Sequence, residues 1–265
     1  MDPLKDFTNF PFTHGKWTHK VYRKGSGPPV IVIHEMPGIT PAVAKFGRRV
    51  ADDGFTVFMP SLFGTPGAEP TRLAFATQFI RLCIHREFEL LAKDHPSPVT
   101  DWLRGLAAQV FSEIPGRGVG VIGMCITGNF ALTMALDANV VAPVLAEPSL
   151  PYSLFRNDGI EAAVHASPEA LENIRQRHRA DGFKVLGFRF EGDELCRRAR
   201  FETLEKELGP AFDGQSLPDA SAASRRDNPN NKPHSVFTSE LIDEAGEPTG
   251  DALRKVLGFF AEKLK

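Results

Sequence analysis

One cysteine in this chain stands between two glycines, where an apolar run meets a helix-like stretch: Gly123-Met124-Cys125-Ile126-Thr127-Gly128. A nucleophile on a sharp strand-to-helix turn needs small neighbours, because the turn is strained and the helix passes close to the strand it leaves. The two glycines meet that need. The turn also puts Cys125 at a helix N-terminus, where the backbone dipoles favour the thiolate, the reactive form. The amide of Ile126 would then point at the oxygen of a carbonyl under attack and supply half of an oxyanion hole. Most cysteines are small buried hydrophobes. Cys83 and Cys196, which have no comparable setting, are read that way.

Three further segments could serve such a thiol. His34-Glu35-Met36-Pro37-Gly38 follows the apolar run Val-Ile-Val-Ile. His34 would turn to the other face of that strand from Glu35, as a packing residue. Phe188 to Leu195, FRFEGDEL, offers three carboxylates after another apolar run: Glu191, Asp193 and Glu194. Of the eight histidines, only His234 comes later in the chain than these acids. The order nucleophile, acid, histidine is therefore met, with any one of the three acids available to orient an imidazole.

On these motifs the chain resembles the dienelactone hydrolase family, a branch of the α/β-hydrolase fold with cysteine where most relatives have serine. The family's elbow reads G-x-C-x-G-G. Here it is GMCITG, with Thr127 in place of the middle glycine. The resemblance implies that Glu35 holds the resting thiol, keeping or sharing its proton until substrate displaces it. It implies that the Met36 amide completes the oxyanion hole with Ile126. Among the three acids it selects Asp193, which would accept a hydrogen bond from His234, fix its tautomer and stabilise the imidazolium. Lys232-Pro233-His234-Ser235-Val236-Phe237 is similar to the family's histidine loop, where His-Ser also occurs.

The founding members bind a substrate carboxylate with arginines, one of them four residues after the histidine. That position is Thr238 here, which leaves Arg81 as the substrate-binding candidate, with Arg72 and Arg86 near it. The implied activity is hydrolysis of small carboxylic esters or lactones through a thioester, with neither metal nor organic cofactor. Two other readings stand beside it: a thioesterase or peptidase-like hydrolase on the same scaffold, and a binding protein of this fold that no longer turns its ligand over. Phenylalanine supplies 21 aromatic residues against 2 Tyr and 2 Trp, which favours an apolar pocket.

The elements that must position these groups follow an α/β pattern. Buried strands are expected at 29–34, 55–60, 118–124, 140–148 and 184–190, and helices at 41–53, 71–93, 98–113, 125–137, 168–179, 195–208 and 249–265. Such alternation predicts a mainly parallel sheet with helices on both faces, and one domain over 1–265. Residues 209–233 are polar and turn-rich and suggest a loop flanking the site or an extra hairpin. Residues 118–136 carry no charge and approach bilayer length, but their glycines, threonines and Asn129 favour a buried strand and helix. With 31 Lys plus Arg against 33 Asp plus Glu, a nucleic-acid surface is not expected. Three widely spaced cysteines make no disulfide framework. The start has no basic and apolar leader, so the expectation is a cytoplasmic protein with a small-molecule substrate and no membrane. A monomer and a homodimer are both compatible with the sequence.

Overall fold

The continuous run Pro29–Ile33 (β3) is buried along its whole length, as an all-apolar strand between two helical layers must be. Its odd and even side chains go to different cores. Ile31 and Ile33 join one apolar cluster, Val30 and Val32 the other. A computed structural model describes residues 2–71, 97–149, 164, 166 and 168–265. The remaining strands are Thr8–His14 (β1), Trp17–Gly25 (β2), Thr56–Pro60 (β4), Val119–Met124 (β5), Val140–Ala146 (β6), Val185–Phe190 (β7) and Phe212–Leu217 (β8). They form one sheet in the order β1-β2-β4-β3-β5-β6-β7-β8. From β4 to β8 every pairing is parallel, whereas β1 pairs antiparallel with β2, and β2 with β4.

Helices cover both faces. Pro41–Asp52 (α1) and the C-terminal Pro248–Leu264 lie on one, where Phe46, Val50, Leu253, Val256 and Phe260 meet the sheet. Pro98–Glu113 (α2), Gly128–Met134 (α3), Pro168–Asp181 (α4) and Arg198–Leu208 (α5) lie on the other, around Trp102, Phe130, Ile174 and Phe201. Chain chemistry sets the helix starts. Thr40 caps α1 by accepting from the Val43 amide at 3.3 Å, Ser97 caps α2 from the Thr100 amide at 3.1 Å, and each helix opens on proline. A short helix Ala223–Asp227 (α6) precedes the histidine loop, and the C-terminal helix is α7. Among the described residues, no helix is long and apolar enough to cross a membrane. The uncharged stretch 118–136 is β5, a tight turn and α3.

The structure adds three strands to those expected and shortens two helices. Strands β1 and β2 form an edge hairpin, mostly exposed on one face, so their sequences show no apolar run. Phe10 and Phe12 turn inward, edge-on to Phe58 and Trp102 at 6.5 and 5.1 Å. Strand β8 lies at the opposite edge within the turn-rich segment; only its two ends, Phe212 and Leu217, are buried. The helix expected from 195 begins at Arg198, because the Asp193 carboxylate binds the amides of Leu195 and Cys196 and holds them in a turn. The helix expected from Cys125 begins at Gly128, after one 3₁₀ turn over Cys125–Thr127. Most of the helix expected at 71–93 lies outside the described residues.

That turn is packed against its own backbone. A Cβ on Gly123 would lie 2.2 Å from the Thr127 carbonyl oxygen, and one on Gly128 would lie 2.9 Å from Cβ of Pro148. Gly123→Ala therefore cannot be relieved by moving a side chain. We expect it to destabilise the fold by about 3 kcal/mol or more, read as a lowered urea midpoint. A midpoint near that of the wild type would show that the turn can relax.

Candidate active site

Among the described residues, Glu35, Met36, Cys125, Ile126 and Asp193 follow the C-terminal ends of the parallel strands β3, β5 and β7, the place where open α/β sheets bind ligands, and His234 joins them through Asp193. Cys125 follows β5 directly and takes a left-handed backbone, φ 56°. Its side chain is almost fully buried, and Sγ lies 3.0 Å from the Ser149 hydroxyl beyond the end of β6. The Ser149 amide donates to the Cys125 carbonyl at 3.1 Å, so the two turns are tied together. Asn129, one helical turn beyond Cys125, donates to the carbonyls of Ile126 and Ser149 at 3.1 and 2.8 Å. It is itself held by Arg200, whose Nη1 donates to Oδ1 at 2.9 Å. Burial lowers the Arg200 pKa to about 10.

Thr127 fills the place of the glycine absent from the elbow. Its hydroxyl accepts from the Met124 amide at 3.0 Å. Its one proton faces the carbonyls of Met124, Ile33 and His34 at 2.9, 3.0 and 3.2 Å. The extra side chain thus ties the elbow to the end of β3, where the Glu35-Met36 loop begins. Ile33 and Gly123 are paired across β3 and β5. Met36 and Ile126 each come three residues after that pair, which brings their amides to the same end of neighbouring strands.

Asp193 and His234 meet at 2.7 Å through Oδ2 and Nδ1. The other carboxylate oxygen accepts the amides of Leu195 and Cys196 at 2.8 and 2.9 Å, which fixes its orientation. A carboxylate only accepts, so Nδ1 carries the proton, and in the neutral ring Nε2 offers a lone pair. Nε2 is buried without a well-aligned hydrogen-bond partner among the described residues, and the Cys125 sulfur lies within its reach. Burial pulls the histidine's pKa down. The Asp193 charge and the Cys125 sulfur outweigh it, leaving the ring well above the ordinary histidine value.

Glu35 stands apart from its expected role. Its oxygens accept the hydroxyls of Ser235, at 2.5 Å, and Thr238, and the group bonded to the thiol is Ser149 instead. The carboxyl is buried, and burial raises its pKa despite both hydroxyls. The physical reason is local: two hydroxyl donors on the histidine loop claim the carboxylate and turn it toward that loop. Thr238, at the position where the resemblance to the founding members would have an arginine, is one of the two. His34 packs against Phe63 at 4.4 Å between ring centroids and is fully buried. Its Nε2 accepts the Leu62 amide at 3.1 Å, so Nδ1 holds the proton and donates to the Glu35 carbonyl at 2.9 Å. Burial lowers its pKa to about 4.

The sequence reading missed Glu147, Ser149, Asn129 and Arg200. The signal for the first two was Glu147-Pro148-Ser149 directly after a buried parallel strand beside β5. Glu147 is fully buried, with Oε2 accepting the Val236 amide at 3.1 Å. Arg72, Arg81, Cys83 and Arg86 lie outside the described residues. Among those described, no group of three or more His, Cys, Asp or Glu could hold a metal ion.

Residues 19–209 match the sequence model of the dienelactone hydrolase family. A Saccharomyces cerevisiae protein provisionally named carboxymethylenebutenolidase is 24% identical over 189 residues, which are 62% of this chain and 67% of that protein. A Klebsiella pneumoniae structure provisionally named dienelactone hydrolase superposes with a TM-score of 0.60 at 18% identity, covering 97% of this chain and 98% of that one. The dienelactone hydrolase-like promiscuous phosphotriesterase P91 from metagenomic libraries superposes with a TM-score of 0.59, also at 18% identity, over 98% of each chain.

Two measurements test this geometry. Thr127→Val keeps the shape but leaves the buried Met124 amide without its acceptor, so we expect a loss of about 1–3 kcal/mol in urea denaturation. An unchanged stability would mean that the hydroxyl ties nothing. His34 takes a proton near pH 6.5 when unfolded but only near pH 4 when folded. Stability should therefore fall by up to roughly 3 kcal/mol relative to His34→Gln as pH drops through that window. A difference that stays flat with pH would show that the ring is not held neutral.

Proposed function

Because the chain belongs to the dienelactone hydrolase family, we propose that it hydrolyses small carboxylic esters or lactones, with Cys125 as nucleophile, His234 as base and Asp193 as the acid that orients it. The observation that carries this reading is the meeting of a left-handed, buried cysteine with a half-buried histidine that is bonded to a buried aspartate and whose unpartnered Nε2 interacts with the sulfur. Three separate segments contribute, so the meeting is not a by-product of local sequence.

In the proposed reaction the thiol proton passes to His234 Nε2, giving the thiolate-imidazolium pair that the raised histidine pKa favours, and Sγ attacks the carbonyl carbon. The carbonyl oxygen gains the negative charge and receives hydrogen bonds from the amides of Met36 and Ile126. Asp193 stabilises the imidazolium that has formed. The tetrahedral species collapses by breaking its bond to the alcohol oxygen, which leaves with the proton from Nε2. In a lactone this oxygen stays tethered through the acyl chain. A water then gives a proton to Nε2 and attacks the thioester carbon. The C–S bond breaks, the thiolate recovers the proton, and the carboxylic acid departs. Substrate would displace Ser149 from the sulfur at the first step. Glu35 contributes at a distance, by clamping the loop that carries His234.

Hydrolysis of a panel of activated esters and lactones by the wild type and by Cys125→Ala tests this directly. We expect kcat/KM to fall on the order of 10³-fold or more in the variant. A mass increment of one acyl group should be trapped on Cys125 in the wild type. Activity that survives the substitution would sink the cysteine assignment.

A further inference from the structure

Among the described residues, only two that are not glycine take a left-handed backbone. One is Cys125. The other is Glu147, at φ 36°, immediately after β6. Its amide is fixed to the Phe188 carbonyl at 2.7 Å and its side chain is fully buried. Oε2 accepts the Val236 amide, two residues beyond His234, while Oε1 is buried with no hydrogen-bond partner among the described residues. The titratable groups facing it are His234 on the histidine loop, Glu35 beyond β3, Cys125 at the elbow and Cys196 in the turn after β7. Among these described groups His234 is the one that can carry positive charge, and Asp193 already engages it.

Both features oppose folding. A glycine would relax this backbone, and an apolar side chain would remove the orphan oxygen. An ionised carboxyl would also place negative charge beside the sulfur at the moment that sulfur must carry it. A protonated one would not. Burial, with Glu35 and Cys125 adding to it, does push the Glu147 carboxyl well above its ordinary range.

We propose that Glu147 is a positioning residue held as a neutral carboxylic acid, whose Oε2 receives the Val236 amide and so keeps His234 over Cys125, with the proton on Oε1. The inference rests on the pairing of Cys125 with His234 proposed above. It is independent of the substrate.

The test is alkylation of Cys125 by iodoacetamide as a function of pH, located by mass spectrometry on the folded protein. It reads the coupling of thiol to imidazole without any ester. His234→Ala should move the profile toward that of a free thiol. Glu147→Ala should move it the same way, slowing alkylation at neutral pH by roughly 10- to 100-fold, the effect of displacing a reacting group by about 1 Å. Glu147→Gln, which keeps an acceptor for Val236 and carries no charge, should recover most of that loss. A wild-type profile in Glu147→Ala overturns the positioning role. Glu147→Gln falling as far as Glu147→Ala overturns the neutral acid.

If Glu147→Ala does not fold, infrared spectroscopy decides the protonation state. A carboxylic-acid carbonyl band present in the wild type at neutral pH and lost in Glu147→Gln supports the proposal, and a wild type without it overturns the proposal. A His234→Ala profile identical to the wild type would remove the Cys-His pairing and this inference with it. Failure of ester hydrolysis alone would leave the alkylation profile intact and would touch only the activity proposed above.

Discussion

The turn at Cys125 is the constraint on which the rest of this structure depends. A non-glycine residue in the left-handed region stores strain and persists only where its surroundings leave no alternative. Here the surroundings are specified atom by atom. Gly123 and Gly128 let the turn fold back on β5 and against Pro148. The Thr127 hydroxyl bonds the elbow internally and to the end of β3. Ser149 fastens it to the end of β6. The departure from the family's second glycine is thus a substitution of one constraint for another: the freedom of glycine is replaced by a side chain that makes its own hydrogen bonds.

A second layer of order surrounds the histidine. Its loop runs between two buried carboxyls, Glu35 binding the hydroxyls of Ser235 and Thr238, and Glu147 binding the Val236 amide. Asp193 holds the ring itself. In a region of low dielectric each of these bonds is strong, and each unmet polar group is correspondingly costly. That makes the site rigid at the expense of stability. It also raises the pKa of both buried acids, because burial disfavours their charged forms.

The sheet supplies the geometry for both layers. Parallel strands β3, β5, β6 and β7 end at one side, and each delivers one component in the loop that follows it. The edge strands β1 and β8, and β2 next to β1, carry none of these components. They are richer in polar residues because one side of each meets solvent.

Much of this was legible in the residue order. Continuous apolar runs mark strands buried on both faces, and the prolines and capping hydroxyls at 40–41 and 97–98 mark helix starts, since these signals are local. The elbow was legible because glycines at 123 and 128 around a cysteine answer a steric demand within six residues. The edge strands were not, because an exposed face needs no apolar pattern. Nor were the partners of Glu35 and the thiol: hydroxyls some 200 residues from Glu35 in the chain claimed that carboxylate, and a serine 24 residues beyond the elbow took the sulfur. Sequence alone determined the fold class and which residues are chemically capable, because period, caps and turns act over short range. Only the tertiary structure decided which acid faces which donor, because hydrogen bonds depend on atoms that the sheet brings together and the chain keeps far apart.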